Sequence, residues 1–362
     1  MTIRAAELIA FYLFDVAESV DLAAVPALVG AGERARLQPK PPLPAYVGFQ
    51  RPPVQLDAES LGLGPIAGGH VRFKIYEYGI VSVSVTRGFA GSWGELVDAS
   101  AALAADHTLE DQAEAHCRAL VSRITAALDR PRADFLSEDY FVFAVSDIDG
   151  HPGADQVLAD RGDQIARLLR GETAALAPQE REEVLRHRLS YLTDDLVVPA
   201  WAAAFVYDTP AGIQAALEIL EYANSQLLQF RYYDERLDAE LTRIYKELES
   251  SRTYVIWRPH RYVRAARQVH AIFIDVNELT DRTENALKLV GDVYAARLLA
   301  LANQRLGVTG WRASVQEKLK TLDEIYRFAV DQTAMERGEV LELAIVVILV
   351  FELILFFMGI MT

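Results

Sequence analysis

The sequence predicts an α+β protein: two degenerate ferredoxin-like βαββα halves, then a long helical hairpin or coiled-coil stalk, then one C-terminal transmembrane helix. Three observations carry this. Apolar, β-branched and aromatic runs alternate with amphipathic stretches through residues 1–250. Two segments, IYEYGIVSVSVTRGFAGSWGEL and YLTDDLVVPAWAAAFVYDTPAGI, share one layout of strand, tight turn, strand and Gly-containing helix start. Residues 343–361, LAIVVILVFELILFFMGIM, contain a single ionisable side chain, Glu352. The chain of 362 residues thus divides into an acidic head (1–250), a stalk (251–340) and a membrane helix (341–361).

Within the head, residues 7–14 read as a strand and 22–29 as a short helix. Residues 39–70 are rich in Pro and Gly and exceed an ordinary connection, so they read as a disordered surface loop or a cover over a partner site. Residues 73–76 and 80–86 form a hairpin around Glu77-Tyr78-Gly79. Ser92 opens a helix to Ala105, with Glu95 three positions on, the spacing of a capping box. A helix over 109–128 completes the first round. The second has a strand at 140–145, helices at 155–169 and 179–186, strands at 189–192 and 197–207, and a helix at 210–224.

The C-terminal third is helical. Leu287, Val290, Tyr294, Leu298 and Leu301 recur at three- and four-residue steps within residues 265–306, and Gly307-Val308-Thr309-Gly310 breaks the run. Val315, Leu319, Leu322, Tyr326 and Ala329 then form a coiled-coil-like seam, in a helix expected to run on into the bilayer.

Charge is unevenly placed. The chain has 36 basic and 51 acidic residues, a net of −15. Residues 252–362 hold 14 basic and 13 acidic side chains, so all of the net acidity belongs to the head. Phosphate backbones repel such a head, which excludes a general nucleic-acid-binding role for it. The 51% hydrophobic content excludes intrinsic disorder. One cysteine, Cys117, excludes an internal disulfide framework and any CxxC site.

At 1.5 Å per residue the apolar C-terminal run spans about 28 Å, close to the hydrocarbon core of a bilayer. Thr362 alone follows it, so the expectation is a tail anchor with the N-terminal mass on the side of synthesis. The first residues lack the pattern of a signal or transit peptide, which points to an inner membrane, with the head facing the cytoplasm (or the matrix, if organellar). Glu352 reads either as part of an ion or proton relay or as a helix–helix contact in a homo-oligomer. A relay needs more than one span, so the contact is the better reading. Glu342, a second candidate contact, lies about 15 Å away along the axis and about 80° round it, so the two acids cannot form one site within one helix.

Chemistry-bearing motifs are sparse. No two of the seven histidines take the spacing of HExxH. Asp147 and Asp149, in Asp147-Ile148-Asp149-Gly150-His151, are weak metal candidates at a strand end. They lack the remaining ligands of an EF-hand and read better as solvated acids in a turn. Gly88, Gly91 and Gly94 satisfy no phosphate-loop spacing. Cys117 reads as a packed core residue. No catalytic constellation and no cofactor site emerges. The one unusual polar stretch is 252–270, RTYVIWRPHRYVRAARQVH. Its Arg252, Arg258, Arg261, Arg264 and Arg267 are interleaved with Tyr254, Trp257 and Tyr262, with no acid. Arginine beside stackable rings suits RNA, a ribosome or anionic lipid; docking on the acidic head is the other reading.

The run LKLVGDVYAARLLALANQRL, followed by WRASVQEKLKTLDEIYRF, is similar to the required-for-meiotic-nuclear-division family. So are the tail, with Leu341-Glu342 opening the apolar helix and Glu352 ten residues on, and the hairpin Tyr78-Gly79-Ile80-Val81. Leu343 stands where that family often has Trp. The resemblance implies an inner-membrane protein that assembles into large complexes and supports translation near the membrane, with no enzymatic residue to carry over. The expected function is therefore a non-enzymatic, membrane-anchored, oligomeric scaffold or tether. A nucleotide- or metal-dependent enzyme in the head and an accessory transporter subunit are the alternatives.

Overall fold

The computed structural model describes residues 1–30, 52–250, 272–274, 276–277 and 293–357. Its centre is β1 (Ile3–Asp15). The run LIAFYLF within it is apolar on both faces, as a strand covered on both sides must be. β1 pairs antiparallel with β5 (Ile80–Gly91) on one edge and β7 (Leu136–Ile148) on the other. With β3 (Val54–Asp57), β4 (His70–Ile75), β8 (Leu196–Pro199) and β9 (Ala203–Tyr207) they form one seven-stranded sheet, ordered β3-β4-β5-β1-β7-β9-β8. β2 (Ser19–Val20) and β6 (Leu128–Asp129) make a separate two-stranded ribbon.

The mixed α+β class is as expected, but the two halves are not separate copies. β4-β5-β1-β7 is antiparallel throughout and has the ferredoxin-like strand order. Between β1 and β4, however, the described connection holds the four-residue α1 (Val25–Leu28) and β3 instead of a full crossover helix. The second hairpin attaches differently, because β9 lies parallel to β7 while β8 is antiparallel to β9. The reason lies in β7, which has two edges. β1 occupies one and β9 the other, so a single strand serves both halves and one sheet results. The strand expected over 197–207 is the β8–β9 hairpin. That expected at 189–192 is reduced to the bridge Leu189–Val197, because the Asp195 carboxylate accepts from the backbone N–H groups of Tyr191 and Leu192 at 2.6 Å each and bends the chain away.

Alternation along the strands sends Leu8, Ala10, Tyr12 and Phe14, with Phe73, Val83 and Phe143, to one face. There they pack beneath α2 (Trp93–Ala105), α3 (Thr108–Ile124), α4 (Ala154–Arg170) and α5 (Pro178–Arg186). The expected capping box is present at α2: Ser92 Oγ accepts from the Glu95 N–H at 3.3 Å, and the Glu95 carboxylate accepts from the Ser92 N–H at 2.7 Å. The other face carries Ile9, Phe11, Leu13, Tyr140, Val142 and Val206, all buried. Helix α6 (Pro210–Ser250) crosses this face, tied by side chains to β4 and to the turn after it. It runs well past the expected end at Asn224, and every residue from 219 to 230 is buried.

The chain forms two compact units. The first is Met1–Tyr232 with Asp281–Trp311, the second Tyr233–Thr280 with Arg312–Thr362. The division falls inside α6, eighteen residues before the head boundary read from the sequence. In the first unit, α7 (Val293–Arg305) ends where Gly307 adopts φ +71°. A Cβ on Gly307 would stand 3.1 Å from the Trp201 ring, so the expected break has both a backbone and a packing cause. In the second unit, the end of α6 lies beside α8 (Val308–Phe357). Ser314 Oγ donates to Asp234 at 2.7 Å, and Lys318 Nζ reaches Asp234 at 2.8 Å and Asp238 at 2.7 Å. Leu237, Ile244, Val315, Leu319 and Leu322 are buried there. The first half of the expected seam is thus consumed within the chain, against α6, and not left open for a second copy. The side chains of Tyr326 and Ala329 lie outside the described residues.

Among the described residues no helix is long and apolar enough to cross a membrane. The expected transmembrane helix is therefore not among the described elements. The run 343–361 is described in part: α8 continues through Phe357, with side chains placed at 345–350 and 352.

Candidate functional site

Three places concentrate unusual side chains. The first is the distal part of α8. Ile345, Val346, Val347, Ile348, Leu349 and Val350 are each between 50% and 59% exposed. Six consecutive positions sweep more than one full turn, so apolar surface faces outward on every side of the helix. Glu352 follows, also exposed, and no described residue pairs with it.

The second place is buried. Lys74 on β4 and Glu221 on α6 form an ion pair with side chains only 10% and 5% exposed. Tyr78 and Ser225 share a hydrogen bond of 2.7 Å, and Gln229 Nε2 donates to the Tyr78 carbonyl at 3.0 Å. The rings of Tyr76 and Tyr78 stack at 5.1 Å. Burial, then the Glu221 carboxylate, pushes the Tyr76 hydroxyl well above its ordinary pKa. Glu221, Ser225 and Gln229 are successive four-residue steps, so α6 presents one polar stripe to the β4–β5 turn. The cluster ties α6 to the sheet, with Lys74, Glu221, Ser225 and Gln229 buried and Tyr78 half-buried. The sequence signals were a lysine inside VRFKIY and the polar EYANSQ inside an apolar helix.

The third place is the carboxyl end of the parallel pair β7/β9, where open α/β sheets commonly bind ligands. Asp147 Oδ1 lies 3.4 Å from His151 Nδ1, and Asp149 is paired with Arg4. Burial raises the pKa of Tyr207, with Asp194 and Asp147 adding to it. Asp208 rises for the same first reason, with Thr209 hydrogen bonds opposing and Asp195 and Asp194 adding. Among the described residues no group of three His, Cys, Asp or Glu side chains is placed to hold a metal ion.

Of the other residues singled out in the sequence, Gly88 and Gly91 lie in β5 and Gly94 in α2, joined directly at Ser92 with no phosphate-type loop. Cys117 is fully buried, and burial pushes its thiol far up, which makes it a core residue. Arg252, Trp257, Arg258, Arg261, Tyr262, Arg264 and Arg267 lie outside the described residues, as does the side chain of Glu342. Sequence reasoning missed Lys74–Glu221 and one further buried pair. Arg132 Nε lies 2.8 Å from Asp15 Oδ1, and its guanidinium sits 3.6 Å from the centroid of the Tyr232 ring.

The chain is 23% identical over 231 residues to the protein described as uncharacterized protein MJ0711 of Methanocaldococcus jannaschii, covering 63% of this chain and 68% of the relative. No solved structure matches. A family model described as "Uncharacterized protein MJ0711, N-terminal domain" matches residues 5–214, from β1 to the first turn of α6. More than half of the chain is matched, and the chain belongs to this MJ0711 N-terminal domain family.

Proposed function

We propose that this protein is a non-enzymatic, membrane-anchored scaffold, held to the bilayer by the end of α8 and presenting its sheet-based unit on the side of synthesis. The observation that supports this reading is the outward-facing apolar surface at residues 345–350. Soluble monomers rarely leave such a surface uncovered, and a helix apolar on every face belongs in lipid or among other helices. The magnitudes agree. Residues 343–361 include fourteen Leu, Ile, Val or Phe side chains, roughly −4 to −8 kcal/mol on insertion, against about +3 kcal/mol for Glu352. The arginine- and aromatic-rich segment 252–270 is the proposed contact to a ribosome, RNA or anionic lipid.

The test is extraction. Membranes from cells expressing the full chain are washed at high salt and then with alkaline carbonate. The chain is expected to stay in the pellet, and a variant ending at residue 342 to move to the supernatant. Recovery of the full chain in the supernatant overturns the reading. A second arm replaces Arg252, Arg258, Arg261, Arg264 and Arg267 with Gln and compares co-purifying RNA and protein, with and without nuclease. Unchanged partners would remove those arginines from the proposal.

A further inference from the structure

We propose that the loop 190–195, before β8, is a docking surface for a basic protein segment with an apolar anchor, received on Tyr191 and Leu192 beside the acids at the carboxyl end of β7 and β9. The surface stands whether or not α8 enters a bilayer. Among the described residues of the first unit, the three most exposed large apolar side chains are Val293 at 76%, Tyr191 at 68% and Leu192 at 61%. They adjoin one another. The ring of Tyr191 lies against that of Tyr294, next to Val293, with centroids 5.4 Å apart. Single exposed apolar side chains are ordinary, whereas a joined group of them marks a contact surface.

The loop is held from below. Asp195 is buried, and its carboxylate accepts from the N–H groups of both Tyr191 and Leu192. The Ala154 N–H at the start of α4 donates to the Thr193 carbonyl at 2.8 Å. Leu189 and Val197 exchange backbone hydrogen bonds at 2.9 and 2.8 Å. Two large apolar side chains are thus fixed in water by a buried carboxylate and the backbone around it. Anchors already fixed lose little freedom when a partner covers them, and an exposed tyrosine is the residue type that such contacts favour.

Charge selects the partner. Asp194, in the same loop, is exposed. Besides burial, the groups that raise the pKa of Tyr207 are Asp194 and Asp147, and those that raise Asp208 are Asp195 and Asp194. The acids of the loop and of the sheet end therefore act together. The nearby arginines are engaged elsewhere: Arg188 donates to the Leu185 carbonyl at the end of α5, and Arg4 is paired with Asp149. A negative surface repels phosphate backbones and anionic headgroups, so neither nucleic acid nor a lipid surface is its occupant. It also opposes a two-fold contact with the same face of a second copy, in which acid would meet acid. A segment bearing Lys or Arg is complementary in both respects. The stem of such a side chain lies along Tyr191 and Leu192, and its cation reaches Asp194 or the face of the Tyr191 ring.

The experiment uses the full chain in nanodiscs of uncharged lipid, with empty nanodiscs as the blank. It is titrated by fluorescence anisotropy against a short labelled peptide of Lys, Leu and Gly, and against the same peptide with Glu in place of every Lys. The Lys peptide is expected to bind saturably, and the Glu peptide about tenfold more weakly or not at all. The double variant Tyr191→Ser, Leu192→Ser is expected to bind the Lys peptide about tenfold or more weakly, the effect of removing a central anchor. Both side chains are exposed, so its urea midpoint should match that of wild type. Asp194→Lys is expected to weaken binding and to make it less sensitive to salt. No saturable binding of the Lys peptide, equal affinity for the two peptides, or unchanged affinity in either variant overturns the proposal. A wild-type dimer in light scattering that the double variant abolishes also overturns it, in favour of a contact between copies.

Discussion

Lys74 and Glu221, 147 positions apart in sequence, meet as an ion pair sealed between β4 and α6. Two charges held this far from water are retained only as a pair, since removal of one leaves the other uncompensated. Lys74→Met or Glu221→Leu alone is expected to cost about 3–5 kcal/mol. The double replacement Lys74→Met, Glu221→Leu should recover most of that loss, because well-packed apolar side chains replace such pairs at little cost. Urea unfolding of the four proteins forms the cycle. Additive losses would show that the pair does not act as a unit.

Gly79 closes the β4–β5 turn at φ +83°, and a Cβ there would stand 1.8 Å from the Ala17 carbonyl oxygen. Gly79→Ala is therefore expected to destabilise by more than about 2 kcal/mol, from the left-handed backbone and the clash together. Gly94→Ala is the control. Gly94 lies in the first turn of α2, its nearest neighbour is Ser92 Oγ at 3.9 Å, and alanine there should gain about 0.4–1 kcal/mol. Thermal or urea midpoints of the two variants should move in opposite directions.

These two glycines show what sequence could and could not convey. Local features were legible because local residues cause them: the Tyr78-Gly79 turn, the Ser92/Glu95 capping box and the break at Gly307; β3, inside the stretch 39–70 read as a loop, was not. The pairing of the strands was not legible either, because the choice of β7 as the strand shared by both halves is a matter of edges in three dimensions. The length of α6 was hidden for a different reason. Over residues 219–230 the helix is buried on every face, and its polar side chains Glu221, Asn224, Ser225, Gln226 and Gln229 are buried with the apolar ones, so the solvent-facing polar side that marks an amphipathic helix is absent where the helix is most enclosed. The buried Asp15–Arg132 and Lys74–Glu221 pairs join distant segments, and no spacing rule reaches across more than 100 residues.

Asp15 gives a pH dependence. Burial raises its carboxyl from 3.8 to about 6, with the Arg132 charge and hydrogen bond pulling in the opposite direction. Because the folded-state pKa lies above the unfolded one, the folded protein binds the extra proton between about pH 4 and 6. This group's contribution to stability is then greatest below pH 4 and is lost as pH rises through 6. The loss is on the order of 3 kcal/mol at about 1.4 kcal/mol per pKa unit. Asp15→Asn should flatten the stability profile across that window relative to wild type. Parallel profiles of the two proteins from pH 4 to 7 would show that Asp15 does not titrate there.

The family match ends at residue 214, but the fold does not. Ile9, Phe11, Leu13, Tyr140 and Val142 are buried on the face of the sheet that α6 crosses, and α6 is anchored there by Glu221, Ser225 and Gln229, all beyond the match. A fragment of residues 1–214 would therefore keep α2 to α5 on one face and leave a row of large apolar side chains open to water on the other. At about 1.5–3 kcal/mol for each fully buried large side chain, uncovering five of them removes roughly 7–15 kcal/mol, as much as the whole stability of a typical domain. The fragment is expected to aggregate or bind a hydrophobic dye strongly, with secondary structure retained but no cooperative unfolding transition. A soluble 1–214 fragment with a sharp transition would mean that the matched region folds without α6, and that the second face of the sheet is not part of its core.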